Sequence, residues 1–103
     1  GVPGSSGYYR GPVKVIRSMQ DFDRLVDGDV LVIPYSDVSW TPLFTRAGAV
    51  IAESGGMLSH SSIVAREYNL PCVVSVPQAC SLPDDAIVAV DGYKGEIYLV
   101  SEP

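Results

Sequence analysis

The sequence is short of the residues on which most protein chemistry draws. Its 103 residues include one histidine, two cysteines and one tryptophan, and seven lysines and arginines face twelve aspartates and glutamates, for a formal net charge of −5. The deficit of positive charge argues against nucleic acid or an anionic membrane as a general partner, because both are held by basic patches. Two cysteines, Cys72 and Cys80, are too few for a disulfide scaffold, and they lack the close pairing and further ligands of a zinc site. A reducing, cytoplasmic setting is expected. No apolar run approaches the roughly 20 residues that span a bilayer, and the first residues do not resemble a signal peptide. Charged residues make up only 18% and hydrophobic ones 47%, which excludes a disordered chain. The length supports one compact domain over residues 1–103 and leaves no space for a second, nucleotide-binding one. With a single imidazole available, any histidine chemistry must occur at His60.

Along the chain, residues 1–11 are rich in glycine and serine and read as an extended, linker-like lead-in. Residues 13–17 form a short strand pattern. Ser18 is a candidate N-cap, with Asp21 three residues on, for a short helix whose apolar side is Phe22, Leu25 and Val26 and which ends at Gly28. The runs at 30–33, 49–52 and 72–76 are continuous and apolar, as in strands buried on both faces. Between them, residues 34–42 are turn-like, 43–47 make one or two helical turns, and 61–68 read as a helix ending near Asn69 and Pro71. Residues 87–90 and 96–100 close the chain as a hairpin through Asp91-Gly92. The order β-α-β-α-β-α-β followed by a hairpin predicts an α/β domain.

The chemistry concentrates in residues 53–76, where a buried strand runs into Gly55-Gly56 and Ser59-His60 stands at the mouth of a helix. Two glycines allow close backbone approach or positive φ. A helix start presents free N–H groups and the positive end of its dipole, an anion site. That field favours neutral, nucleophilic imidazole over the cation, and neutral imidazole can accept a phosphoryl group covalently. Ser59 and Ser61 can add hydroxyl donors. Each residue also has a plain structural reading: a lone histidine is more often structural, Ser59 can be only a cap, and the glycines only a tight turn. Together they make an anion or phosphate signal; on the residues alone both readings stand.

Other candidates are weaker. Asp21, Asp23, Asp27 and Asp29 read as a solvated face rather than a calcium site. Trp40 and Phe44 are core or docking residues. Cys72 suits a small core position and Cys80 a turn, and neither has the basic neighbour of a reactive thiolate.

The segment 55–67, GGMLSHSSIVARE, closely resembles the signature of the mobile phosphohistidine domain of phosphoenolpyruvate-utilising enzymes. That family includes pyruvate phosphate dikinase, phosphoenolpyruvate synthase, the sugar-phosphotransferase enzyme I and rifampin phosphotransferase. The likeness continues through Gly28-Asp29-Val30-Leu31-Val32, Trp40-Thr41-Pro42-Leu43-Phe44, Leu70-Pro71 and Asp91-Gly92 with Gly95. The WTPLF segment with GGMLSH is most similar to the rifampin phosphotransferase and synthase-like branches. The sequence departs from the pattern at Val38, where proline is common, at Ser61-Ser62, at Ser75, and at Asp84-Asp85-Ala86, where an Asp-Gly turn is usual.

The resemblance implies a swivelling β/β/α domain in which His60 carries the phosphoryl group. It implies that Ser59 contacts phosphate or orients the imidazole, with Gly55, Gly56 and Ser61 beside it. Arg66, six residues after His60, is implied in a salt bridge to a carboxylate or in docking, and Trp40 in docking. No metal is expected in this domain; magnesium and ATP are expected on partner domains. The partners implied are an ATP-binding domain and an acceptor-substrate domain of one parent chain, from which this domain is excised, the acceptor being pyruvate, phosphoenolpyruvate or a drug hydroxyl. Such a domain does not turn over alone. A free-standing phosphocarrier and a non-catalytic interaction module of the same fold are the alternatives.

Overall fold

The apolar runs of this chain divide their side chains between the two faces of one sheet. A computed structural model describes residues 1–103. Its strands are β1 (Val2–Ser5), β2 (Tyr8–Val15), β3 (Val30–Ile33), β4 (Ala49–Ala52), β5 (Cys72–Val74), β6 (Ile87–Asp91) and β7 (Glu96–Ser101). Two α-helices, α1 (Thr41–Phe44) and α2 (His60–Glu67), accompany 3-10 helices at Met19–Arg24, Val38–Trp40 and Ala79–Ser81. The strands form one mixed sheet in the order β1-β5-β4-β3-β2-β6-β7. The centre is parallel, β2 to β3 to β4 to β5, and the flanking pairs β1–β5, β2–β6 and β6–β7 are antiparallel.

Alternation along each strand makes two cores. Leu31 and Ile33 of β3 and Val50 and Ala52 of β4 face the helices, where they meet Leu43 and Phe44 of α1, Val64 and Ala65 of α2, and Trp40. Val30 and Val32, with Ala49 and Ile51, face the opposite side and meet Val73 of β5 and Val88 and Val90 of β6. That second face is covered because the sheet curls on itself as a half-barrel. The Gly1 amine donates to the Gly95 carbonyl at 2.9 Å and the Gly92 amide to the Gly7 carbonyl at 2.7 Å, drawing the start of β1 toward the β6–β7 turn. The α/β class and the two-sided burial follow the sequence expectation.

The linker-like reading of residues 1–11 does not hold: they enter the sheet as β1 and the first half of β2. Their small residues serve close packing. A Cβ at Gly4 would stand 2.6 Å from the Ser62 hydroxyl, so glycine lets α2 lie directly on β1. The expected helix after Ser18 is a six-residue 3-10 helix, Met19–Arg24, and Ser18 makes no side-chain cap bond. Leu25 is buried beyond its end while Val26 is exposed, so no apolar stripe exists to extend it. The Asp29 carboxylate accepts from the Val26 amide at 2.9 Å and turns the chain instead. Asp29 is therefore buried, 3.7 Å from the Lys14 ammonium, and leaves the solvated acidic face assigned to it. α1 starts at Thr41, earlier than expected, because Pro42 fits a first helical turn.

Candidate functional site

The site lies at the carboxyl ends of the parallel strands β3 and β4, the usual position of a ligand on such a sheet. The chain leaves β3 through residues 34–40 and leaves β4 through residues 53–59. The Glu53 amide donates to the Ile33 carbonyl at 2.9 Å and the Ser54 hydroxyl to the Pro34 carbonyl at 2.9 Å, which holds the two loops side by side. His60 is the first residue of α2, half-buried between them.

The imidazole is held unequally by its two nitrogens. Nδ1 is 2.7 Å from the Ser36 hydroxyl, which is in turn 2.6 Å from the Ser61 hydroxyl. Nε2 has only the Thr41 hydroxyl, at 3.4 Å. The edge of the ring meets Phe44, with centroids 6.1 Å apart and planes at 85°. In the tautomer in which Nδ1–H donates to Ser36 and Ser36 donates to Ser61, the lone pair rests on Nε2, whose one partner is the more distant Thr41 hydroxyl.

The predicted site residues take distinct places around this ring. Ser59 caps α2, accepting from the Ser62 amide at 3.5 Å while its hydroxyl donates to the Gly56 carbonyl at 2.8 Å. Its hydroxyl is thus turned into the loop, and it orients His60 through the backbone. Gly55 has φ +110°, and a Cβ there would come within 2.9 Å of Ser59, so the turn requires glycine. Gly56 has open space where a Cβ would sit and contributes its carbonyl, which also accepts from the Ser62 hydroxyl at 2.7 Å. Ser61 is buried against Ser36 and not aimed at an incoming phosphate.

The salt bridge expected of Arg66 is corrected, and Trp40 takes the core alternative of the two expected for it. Arg66 makes no salt bridge: its guanidinium donates to the Gly4 carbonyl of β1 and to the Met57 carbonyl, both at 2.7 Å. A planar fork with several donors can bridge two carbonyls in this way, and here it ties the loop before His60 to the sheet. Arg66→Gln is expected to speed amide exchange in residues 57–59 by about tenfold and to cost about 1–3 kcal/mol, read by hydrogen-exchange NMR and urea unfolding; unchanged exchange would show that the loop is held by its hydroxyls alone. Trp40 is 4% exposed, packed edge-on to Phe22 at 5.3 Å and against Tyr35 at 5.8 Å. It packs into the core beneath the 35–41 loop, one of the two places expected for it.

Ser36 and Thr41 were not singled out from the sequence, where 34–42 reads as a turn. Their signal was position: they follow the carboxyl end of a buried strand. Ser36→Ala is expected to release Nδ1 and to mix the two imidazole tautomers in 15N NMR, while costing only about 1 kcal/mol of stability. An unchanged tautomer would remove the role of Ser36.

Nothing else in the chain competes with His60 for this chemistry. Burial pushes the Cys72 thiol up to about 12 and the Cys80 thiol up to about 11, so neither supplies a thiolate near neutral pH. No three His, Cys, Asp or Glu side chains gather into a group able to hold a metal ion. The two surface clefts, of about 270 and 360 Å³, do not include His60. No helix is long and apolar enough to cross a membrane.

The chain is similar to known proteins in sequence and in fold. The chain is 45% identical over 102 residues to an uncharacterized phosphotransferase, YvkC, of Bacillus subtilis, covering 98% of this chain and 12% of that protein. It is 45% identical over 98 residues to the rifampicin phosphotransferase of Bacillus subtilis, covering 94% of this chain and 11% of that protein. The chain therefore spans about one-eighth of the length of these relatives. In fold it is similar to a solution structure of Enzyme I, with TM-score 0.64 and 23% identity over 77% of this chain and 33% of that one. It is also similar to a UPF0107 protein, with TM-score 0.71 and 15% identity over 97% of this chain and 96% of that one. The family described as "PEP-utilising enzyme, mobile domain" matches residues 25–95, a span that runs from the end of the first 3-10 helix through His60 to the last turn, and the chain belongs to that family.

Proposed function

We propose that this chain is the phosphoryl-carrier domain of a multidomain phosphotransferase and that His60 is the carrier. The observation that supports it most is the unequal grip on the imidazole at the start of α2, with Nδ1 at 2.7 Å from Ser36 and Nε2 at 3.4 Å from Thr41. In the first transfer, the Nε2 lone pair attacks the β-phosphorus of ATP held by a partner domain. The N–P bond forms as the bond from the β-phosphorus to the AMP oxygen breaks and AMP leaves with the electron pair; hydrolysis of the β–γ bond on the pyrophosphorylated imidazole then releases inorganic phosphate and leaves the β-phosphoryl group on Nε2. Nδ1 keeps its proton, shared with Ser36, which balances part of the charge of the phosphorylated ring. The amides at the mouth of α2 stabilise the phosphoryl oxygens.

In the second transfer an acceptor oxygen attacks the same phosphorus and the N–P bond breaks, returning the lone pair to Nε2. Passing through a covalent intermediate divides one difficult transfer between two sites. ATP and magnesium belong to partner domains on this reading. The acceptor is a drug hydroxyl, as the name of the rifampicin phosphotransferase relative suggests, or pyruvate. Relatives of which this chain covers only 11–12% favour a domain working within a larger chain over a free-standing carrier. The setting proposed is the cytoplasm, where the two unpaired thiols stay reduced.

The test is incubation of the domain with its nucleotide-binding partner and β-labelled ATP. A label on the domain that is lost in acid and kept in base, with a 31P signal coupled to Nε2, supports the relay. No label while the partner domain is active points to the interaction-module reading instead.

A further inference from the structure

Phosphoryl oxygens on Nε2 need hydrogen-bond donors, and the residues flanking the ring have few to give. Residues 35–41 and 55–63 contain no lysine or arginine, and their one carboxylate is Asp37. Arg66 of α2 commits its guanidinium to the Gly4 and Met57 carbonyls. The serine hydroxyls around the site are engaged as well: those of Ser36, Ser39, Ser54, Ser59, Ser61 and Ser62 each have a partner within 2.9 Å.

Thr41 is the exception. Its hydroxyl makes one contact within the chain, 3.4 Å to Nε2, whereas the Ser36 hydroxyl stands 2.7 Å from Nδ1. A close hydrogen bond from a hydroxyl spans about 2.5–3.0 Å, so Thr41 holds the resting ring weakly. Hydrogen bonds that serve a reaction are often long before the substrate arrives and tighten with it. The length does not come from a loose backbone. Thr41 is the first residue of α1, its amide donates to the Val38 carbonyl, and Pro42 follows it. Its branched Cβ restricts rotation about χ1. A nucleophile and the atom it is about to attack stand about 3–3.5 Å apart, and the Thr41 oxygen lies at that same distance from Nε2. A phosphoryl group arriving at Nε2 therefore meets this hydroxyl, either to be bonded by it or to displace it.

We propose that Thr41 is a catalytic residue of the carrier, whose hydroxyl donates to a phosphoryl oxygen while the N–P bond at Nε2 forms and for as long as it lasts. This rests on the reading of His60 as the phosphoryl carrier. The bond from Nε2 to phosphorus forms as the bond from phosphorus to the leaving group breaks, and the leaving group takes that electron pair. Thr41 keeps its proton throughout and only exchanges acceptors, from the Nε2 lone pair to a phosphoryl oxygen. The lone pair is thereby freed for attack at the moment when negative oxygens come within reach of the donor. A hydroxyl already fixed beside the reacting nitrogen needs little reorganisation to do this. The two hydroxyls at the ring thus divide the work: Ser36 fixes the imidazole through Nδ1, and Thr41 receives the group that Nε2 captures.

The experiment labels the 103-residue chain with phosphoramidate, whose P–N bond breaks to release ammonia as the N–P bond to Nε2 forms. Three variants are compared: Thr41→Val, which keeps the shape and loses the hydroxyl; Thr41→Ala, which loses the hydroxyl and opens space; and Thr41→Ser, which keeps the hydroxyl. Labelling of Thr41→Val and Thr41→Ala is expected to slow by about tenfold or more. Thr41→Ser is expected to stay within about threefold of wild type, since it loses only the methyl that restricts rotation. The 31P shift of the phosphohistidine is expected to move in the valine and alanine variants and to hold in the serine variant. The 15N shifts of the unphosphorylated ring are expected to show the wild-type tautomer in all three, because Ser36 is untouched. Wild-type labelling rates in both hydroxyl-free variants overturn the proposal. Slow Thr41→Val with normal Thr41→Ala overturns it too, because bulk and not a missing donor is then the cause. So do an unmoved 31P shift, and a changed tautomer in the resting ring, which would place the effect on the imidazole. Wild-type chain that phosphoramidate fails to label at His60 refutes the underlying carrier reading instead.

Discussion

His60→Gln is expected to leave the domain folded and to abolish phosphoryl capture from ATP and from phosphoramidate alike. Glutamine is similar in size, can lie at the first position of α2, and presents an amide whose nitrogen is not nucleophilic. The ring it replaces is half-buried against Phe44, so the cost in stability is about 1 kcal/mol. No second imidazole exists to substitute for it, and both thiols are protonated near neutral pH. The readouts are the acid-labile, base-stable label and urea unfolding on the same samples. A residual label of that chemistry on folded His60→Gln would show that another group carries phosphate and would end the carrier assignment.

The largest effect on stability is expected from Phe44→Ala. Phe44 is fully buried at the end of α1, within the core that includes Leu31, Ile33, Trp40 and Val64. Truncating a buried phenylalanine to alanine typically costs about 3–5 kcal/mol, from lost transfer energy and the cavity left behind. A domain of this size has a total stability of about 5–15 kcal/mol, so the variant should approach unfolding at physiological temperature. Phe44→Leu keeps most of the volume and should cost less than about 1.5 kcal/mol, yet it removes the ring that meets the imidazole edge. The pair therefore separates support of the fold from support of the ring. Phe44→Leu should show near-normal urea unfolding with altered His60 ring shifts and slower capture. A cost below about 1 kcal/mol for Phe44→Ala would mean that α1 collapses onto the sheet and does not depend on this side chain.

How much of this was legible before folding depends on how far each residue reaches. The strands at 30–33 and 49–52 were plain because each is a run of four apolar residues, and their burial on both faces follows from strand alternation alone. The cap at Ser59 and the turn at Gly55 were legible for the same reason, since each acts within four residues. Residues 1–11 misled because glycine and serine suit both flexible chain and closely packed strand; what chose between them was α2 lying on Gly4, a contact that composition does not carry. The 3-10 helix at 19–24 misled because Ser18 and Asp21 match a capping pattern, whereas the Asp29 carboxylate turns the chain at Val26. Arg66 was expected to meet a carboxylate because its charge suggests one. Its partners are carbonyls, one of them 62 residues away on β1.

By itself the sequence determined that histidine chemistry in this protein has one location, at the start of a helix and behind a glycine turn, because those are local consequences of residue type. The tertiary structure alone decided which imidazole nitrogen is held and which is left to react. Ser36 is 24 residues from His60, and it reaches Nδ1 because β3 and β4 pair in parallel and release their loops at the same end of the sheet. The parallel register therefore places the Ser36 hydroxyl beside Nδ1, and no shorter-range property of the chain could have done so.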